Sequence, residues 1–305
     1  MQRSLAERAV EALGGVGVLR GDGVPPTAEA PAGAAPSPTR PGADAPAPAG
    51  GTPAAPTVIT RATLLGAHGY TLEAERSRCS EEMTVVQQQV MRTLQSLPTS
   101  RERNRRLVLV TSSRPGEGKS FTSLNLSISL ARSSGASVLL VDADGKLASL
   151  SHLLGVAEER GLWALASTPN LPAAQLARPT EIETLSFLPF GAPPTVAATE
   201  APGNALAAAL LRIADAFPRH VIVVDTPPVL SISEASILAP VVGQVLLVVQ
   251  AEITQRSEVE AALDMLDACP TLQLVLNQSR VSSPGSFGAY GYAYGYKYKG
   301  AYLKK

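Results

Sequence analysis

From Arg106 onward the chain alternates short apolar runs with stretches in which apolar residues return every three or four positions. The runs predict strands over Leu107–Val110, Ser137–Val141, Leu185–Leu188, Val221–Val224, Val245–Val249 and Leu272–Leu276. Several are continuously apolar, the pattern of strands covered by helices on both faces. The stretches between them predict helices over Ser120–Ala131, Ala205–Ala216, Glu234–Leu238 and Ser257–Leu266, with a short one near Leu162. Strand and helix in this alternation make βαβ units, so the expected fold is α/β, a mostly parallel sheet with helices on both faces. Upstream, Val86, Val90 and Leu94 recur at a spacing of four and predict a helix over Glu81–Leu94.

The ends of the chain break this pattern. Leu5, Ala9, Val10 and Leu13 share one helical face, so residues 1–20 read as a short amphipathic helix that needs something to pack against. Residues 21–69 read as a disordered linker: between Gly21 and Thr57 there are 10 Pro, 11 Ala and 6 Gly, and Val24 is the only large aliphatic residue. A folded domain over residues 70–282 leaves a low-complexity tail at 283–305. The whole chain has 305 residues, and its 26 basic and 26 acidic side chains cancel, which removes any global electrostatic case for nucleic acid. Cys79 and Cys269 have no metal-type spacing and fit a reducing compartment. Glu7 and Glu11 interrupt any signal-type apolar stretch, and no apolar run approaches the length of a bilayer span, so a cytoplasmic protein is expected.

The candidate chemistry sits at strand ends. Strand Leu107–Val110 runs into TSSRPGEGKS, and a helix begins at Ser120. Gly116 and Gly118 let the backbone curl so that its N–H groups face a phosphate, and the helix presents its positive end there. Lys119 is expected on the terminal phosphates and the Ser120 hydroxyl on Mg²⁺. The first glycine of the general pattern is Ser113 here. Strand Ser137–Val141 ends in Asp142-Ala143-Asp144 and strand Val221–Val224 in Asp225-Thr226-Pro227-Pro228, which places three carboxylates at the sheet edge where open α/β folds bind ligands. Singly each aspartate reads equally well as a cap or turn residue; together with the loop they predict a site for ATP and Mg²⁺. Tyr290, Tyr292, Tyr294, Tyr296, Tyr298 and Tyr302 crowd the tail among Gly, Ala and Lys. They read equally as phosphoryl acceptors or as a disordered tail that contacts nucleic acid or other chains by stacking.

These segments resemble the bacterial tyrosine kinases, P-loop NTPase-type enzymes that modify their own C-terminal tyrosines and regulate exopolysaccharide synthesis and export. The resemblance lies in TSSRPGEGKSF, VLLVDAD, VIVVDTPPVL and GQVLLVVQAEIT, and covers about Glu81 to Asn277 plus the tail. Phe121, the Glu234-Ala235 pair, Gly243-Gln244 and the leading SLAERAVEAL are similar to the subgroup tied to exosortase-linked polysaccharide loci.

The resemblance implies nucleotide contacts from Ser113, Pro115, Gly116, Glu117, Gly118, Lys119, Ser120 and Phe121, and catalytic roles for Lys119, Asp142 and Asp144. It further implies Asp142 as metal-linked residue or general base, Asp144 and Asp225 completing the metal shell with Ser120, and Asn277 beside adenine. Asn277 reads equally as a strand-end turn residue. The implied partners are a membrane-bound polysaccharide chain-length-determinant protein, which would recruit the chain to the inner face of the cytoplasmic membrane, and transient homo-oligomers.

Two departures stand out. Gly145-Lys146-Leu147-Ala148 replaces the basic residues and proline usual after Asp144, and Thr84 and Gln87 replace the basic residues that follow Glu81 in the oligomerisation segment, predicting looser self-association. A partition- or Min-type regulatory ATPase and a non-catalytic ATP-binding scaffold are the alternatives. The first would carry a lysine where Arg114 stands.

Overall fold

A computed structural model describes residues 57–72, 77–98, 103–133, 135–146, 148–192 and 203–279. The predicted N-terminal amphipathic helix, the linker up to residue 56 and all six tail tyrosines lie outside the described residues.

Seven strands form one sheet: β1 (Asn104–Ser112), β2 (Ser137–Asp142), β3 (Arg178–Pro179), β4 (Leu185–Leu188), β5 (His220–Asp225), β6 (Val242–Gln250) and β7 (Leu272–Asn277). Their order is β3-β4-β2-β5-β1-β6-β7, parallel throughout except for β3 against β4. The central strands are built around continuous apolar runs, Leu107–Val110, Val138–Val141, Val221–Val224 and Val245–Val249, because alternate side chains enter two separate cores. Leu107, Leu109, Leu139, Val141, Ile222, Val224, Val245 and Leu247 face one of them. It is closed by α5 (Leu162–Ser167), α6 (Gly203–Ala216), α7 (Glu234–Leu238) and α8 (Arg256–Met265).

Val108, Val110, Val138, Leu140, Val221, Val223, Leu246 and Val248 face the other core. That side is closed by α2 (Arg78–Ser96), α3 (Lys119–Ser133) and the short α1 (Arg61–Gly66). Truncating a fully buried strand residue such as Leu139 to Ala costs about 2–5 kcal/mol, since the cavity cannot fully collapse.

Helix α3 is buried almost all round, between the sheet and α2, although it alternates Leu and Ile with Ser, Thr and Asn. The small polar residues tolerate burial because Thr122 and Ser127 donate back to the carbonyls of Gly118 and Ser123, four residues earlier, while the single Ser123 hydroxyl proton is shared between Lys119 O and Asp225 Oδ1, each 2.9 Å away. Asn125 reaches outward: its amide donates to His68 O and Phe121 O and accepts from Thr71 N.

The folded region therefore starts upstream of residue 70. Ile59 bridges to Thr180, and Ile59, Leu64, Ala67 and Leu72 are buried in the second core. Residues 57–69 continue the alanine- and glycine-bearing composition of the linker, and their large apolar residues, the adjacent pairs Val58-Ile59 and Leu64-Leu65, are too few to show a period. The antiparallel β3 and the four-residue α4 (Leu150–Leu153) are likewise too short to register as patterns. Gln87 also differs from its expected role. It is buried, 6% exposed, and accepts from Ser129 Oγ at 2.7 Å, so it docks α2 onto α3 within one chain. Among the described residues no helix is long and apolar enough to cross a membrane.

Candidate functional site

Strands β1 and β5 are neighbours whose following helices, α3 and α7, lie on opposite faces of the sheet, and the loop Ser113–Gly118 emerges at this switch point. Gly116 and Gly118 have φ of 87° and 94°. At Gly118 a side chain is excluded twice over, because a Cβ would also collide with the Asn277 amide. The loop is braced from outside. Glu117, 2% exposed, accepts from Arg114 N at 2.7 Å and from the Thr254 hydroxyl, while Asn277 Nδ2 donates to Glu117 O at 2.8 Å and Gln278 Nε2 to Gly116 O at 3.1 Å. Thus the Glu117 side chain shapes the loop, and Asn277 lies against the loop backbone. Arg114 extends to Glu258, 3.5 Å away on α8. Pro115 and Gly116 form the loop's turn, and the hydroxyl of Ser113 is buried with no hydrogen-bond partner among the described residues.

Lys119, at the start of α3, reaches across to Asp144 and lies 3.2 Å from Ser120 Oγ. This ion pair is nearly buried, with side-chain exposures of 13% and 8%. Burial works to lower the Lys119 pKa, but Asp225, Asp144 and Asp142 outweigh it and hold the ammonium raised. Asp142 and Asp225 are register partners on adjacent strands. Burial pushes the Asp225 carboxyl up to about 7; Lys119 opposes that, Asp142 adds to it, and hydrogen bonds from Ser120 and Ser123 oppose it again.

The three aspartates are not equivalent. Both oxygens of Asp142 are engaged, Oδ1 by Asp144 N at 2.9 Å and Oδ2 by Ser151 N at 2.8 Å and Ser151 Oγ at 2.6 Å. Asp225 Oδ1 accepts from Ser123 Oγ at 2.9 Å. Asp144 Oδ1 and Asp225 Oδ2 are buried with no hydrogen-bond partner among the described residues. A buried acceptor left open costs roughly 1–3 kcal/mol, more for a charged one, so these two oxygens are the costliest polar feature of the site.

The structure thus brings together Lys119, Ser120, Asp142, Asp144 and Asp225, all predicted from the sequence, and adds Ser123, Ser151 and Thr254, which were not. Ser123 carries a usable signal, lying one helical turn after Lys119. Ser151 and Thr254 carry none, because the first sits on the four-residue α4 and the second in a loop, and only the fold determines where either lies. Phe121 follows the loop into α3 and packs on Tyr70, ring centroids 6.0 Å apart.

The family model that matches is ParA, described as NUBPL iron-transfer P-loop NTPase, over residues 103–289. Over 194 residues the chain is 28% identical to tyrosine-protein kinase YwqD of Bacillus subtilis, covering 62% of this chain and 79% of that one. It is 31% identical over 194 residues to tyrosine-protein kinase CpsD of Streptococcus agalactiae, covering 61% and 82%. Among solved structures, the kinase domain of Escherichia coli tyrosine kinase ETK superposes with a TM-score of 0.53 at 22% identity, over 70% of this chain and 83% of that one. The chimerical protein CapA2B2 superposes with a TM-score of 0.56 at 24% identity, over 73% and 95%. At these identities the two structures speak for the fold. The iron transfer in the family description draws no support from the cysteines: Cys79 is on α2, and Cys269 is fully buried beyond α8, its thiol pKa pushed up by that burial.

Proposed function

The chain belongs to the bacterial tyrosine-protein kinases and carries a ParA-type P-loop NTPase domain, and from that premise we propose a specific activity: an ATP- and Mg²⁺-dependent autokinase acting on Tyr290, Tyr292, Tyr294, Tyr296, Tyr298 and Tyr302 that regulates exopolysaccharide synthesis and export. The observation that carries this reading is the convergence of Lys119 with two open, buried carboxylate oxygens, on Asp144 and Asp225, beside a loop with two glycines at positive φ. Among the described residues no group of three or more His, Cys, Asp or Glu side chains could hold a metal alone. That donor set fits Mg²⁺, which takes one or two carboxylates and completes its octahedron with phosphate oxygens and water.

In this reading the loop amides and the Ser113 hydroxyl hold the phosphates, Lys119 neutralises the terminal ones, and Ser120, Asp144 and Asp225 hold the metal. Asp142, with three hydrogen bonds already accepted, keeps the segment from Asp142 to Ser151 in place. Asn277 braces the loop on the adenine side. Bound Mg²⁺ supplies charge neutralisation on the phosphates. The phenol oxygen bonds to the γ-phosphorus as the bond to the β-phosphate bridging oxygen breaks; ADP leaves, and the phenolic proton passes to the carboxylate edge and on to water. A membrane-bound chain-length-determinant protein recruits and activates the enzyme, and transfer between copies proceeds through transient encounters. Arg114, engaged with Glu258 of its own chain, lends no support to a Min-type role at that position.

The test is incubation of the purified chain with labelled ATP and Mg²⁺, followed by phosphotyrosine mapping. Label is expected on the six tail tyrosines, and deletion of everything after Ser286 should abolish it while nucleotide binding remains. Label persisting on the truncated chain, or no label on the intact one, would overturn this reading. Tyr70 should stay unlabelled, its hydroxyl 3.0 Å from His68 Nδ1 and its ring against Phe121.

A further inference from the structure

Beside the aspartates lies a cavity of about 270 Å³ whose walls include Gly145, Ser151, His152, Glu158, Phe190 and Gly191. It adjoins the site directly: Gly145 follows Asp144, and Ser151 Oγ donates to Asp142. Ligand pockets for small molecules begin at roughly 300 Å³, so this space suits one side chain better than a nucleotide.

Its aromatic wall is fixed. Phe190 N donates to Ser151 Oγ at 2.9 Å, Phe190 O accepts from Trp163 N at 2.8 Å, and the Trp163 ring lies 6.0 Å from the Phe190 ring. The Phe190 ring also packs so closely over Gly145 that a Cβ there would collide with it. Glycine in place of the family's basic residue after Asp144 is what admits this ring.

We propose that this cavity receives the acceptor tyrosine, its ring against Phe190 and its hydroxyl towards the Asp142–Asp144 edge, and that Glu158 on the rim favours tyrosines with an adjacent lysine. The proposal rests on the kinase reading above and adds a choice among acceptors. Aromatic side chains stack offset or edge-on, and a rigid ring as wall selects a flat acceptor. Glu158 is exposed, and unlike its neighbour Glu159, which pairs with Arg178, it has no ion pair among the described residues. In the tail, Tyr296 precedes Lys297 and Tyr298 lies between Lys297 and Lys299, whereas Tyr290, Tyr292 and Tyr294 have only Gly and Ala as neighbours. An exposed ion pair at the rim gives Tyr296 and Tyr298 roughly a two- to fivefold advantage, weakened by salt.

The experiment follows phosphate at each tail tyrosine by mass spectrometry during Mg²⁺-ATP incubation of the full chain. Wild type should label Tyr296 and Tyr298 first; Glu158→Gln should level the rates, and Glu158→Lys should reverse the order in favour of Tyr290, Tyr292 and Tyr294. Phe190→Leu, with its melting curve checked, should raise KM for a synthetic GYKYKG peptide about tenfold and leave nucleotide affinity unchanged. Equal labelling of all tail tyrosines, or an order indifferent to Glu158→Lys, overturns the pocket assignment and leaves the kinase standing. Absence of phosphotyrosine from wild type overturns the kinase reading itself.

Discussion

Helix α3 carries two buried polar regions of opposite character. Along its outer side every contact is matched within the protein: Ser129 donates to Gln87, Asn125 makes three hydrogen bonds around His68, Thr71 and Phe121, and Arg132 reaches Thr71 O. The same seam continues through Gln244 to Val90 O and Gln273 to Thr93 and Gln244. At its first turn the matching stops. Lys119 and Ser123 engage one oxygen each of Asp144 and Asp225, and the other oxygen of each is buried and open. A matched seam fixes how elements dock, whereas an unmatched one stores an interaction for something that arrives later.

The strongest way to break this contrast is Lys119→Met. If the open edge serves phosphoryl transfer, self-labelling should fall by roughly a hundred- to a thousandfold, the usual loss when a preorganised charge-stabilising group is removed, with the circular dichroism spectrum retained. Undiminished labelling would show that the phosphate site is elsewhere.

On the matched side the sharpest probe is Gln87→Arg, which places a cation where Ser129 offers one hydroxyl. Urea unfolding should show a loss of about 3 kcal/mol, whereas Thr84→Arg, half-buried and bonded only to Ser80 O of its own helix, should be nearly neutral. A Gln87→Arg variant as stable as wild type and assembled into larger rings would restore the role expected for this position in self-association.

Asp225→Asn separates the two sides by sign. Replacing a fully buried carboxylate by a neutral amide should stabilise the ligand-free protein by about 1 kcal/mol and weaken Mg²⁺-dependent nucleotide binding about tenfold. Destabilisation by this change would mean that the carboxylate serves the fold.

The smallest effect concerns His220, whose Nδ1 is also buried and open among the described residues but lies at the opposite end of β5. Burial, with Arg106 adding to it, lowers its pKa below the ordinary 6.5. The unfolded chain therefore takes up this proton first as pH falls: the contribution of His220 to stability is complete above pH 6.5 and is lost progressively below it. Melting temperatures of His220→Gln should fall less than those of wild type between pH 6.5 and pH 5, with no change in nucleotide affinity.

Most of the sheet was legible because its central strands hold continuous apolar runs that end in chemically distinctive residues. Leu185–Leu188 and Glu234–Leu238 were bounded correctly, the helix expected over Ser257–Leu266 lies one residue earlier, and the other bounded elements ran one to three residues beyond their apolar runs, where polar residues such as Asn104, Gln250 and Asn277 still pair in the ladder. Residues 57–69 were not legible, since their docking depends on Asn125, Thr180 and Glu181, which are more than fifty positions away. Lys119, Asp142, Asp144 and Asp225 announced themselves by type and place. What could not be read was their division of labour, because Ser151 and Ser123, which engage Asp142 and Asp225, are ordinary serines until the fold brings them there.

The last described strand ends with Asn277, and Asn277 and Gln278 touch the carbonyls of Glu117 and Gly116. The chain leaves for its tyrosines from the wall of the phosphate loop. Two ligand events thereby share one short piece of backbone, and thermodynamic reciprocity binds them: if capture of the tail by another molecule changes nucleotide affinity by some factor, bound nucleotide changes that capture by the same factor. Any such factor can be measured from either end, as nucleotide affinity with and without the captor or as capture with and without nucleotide.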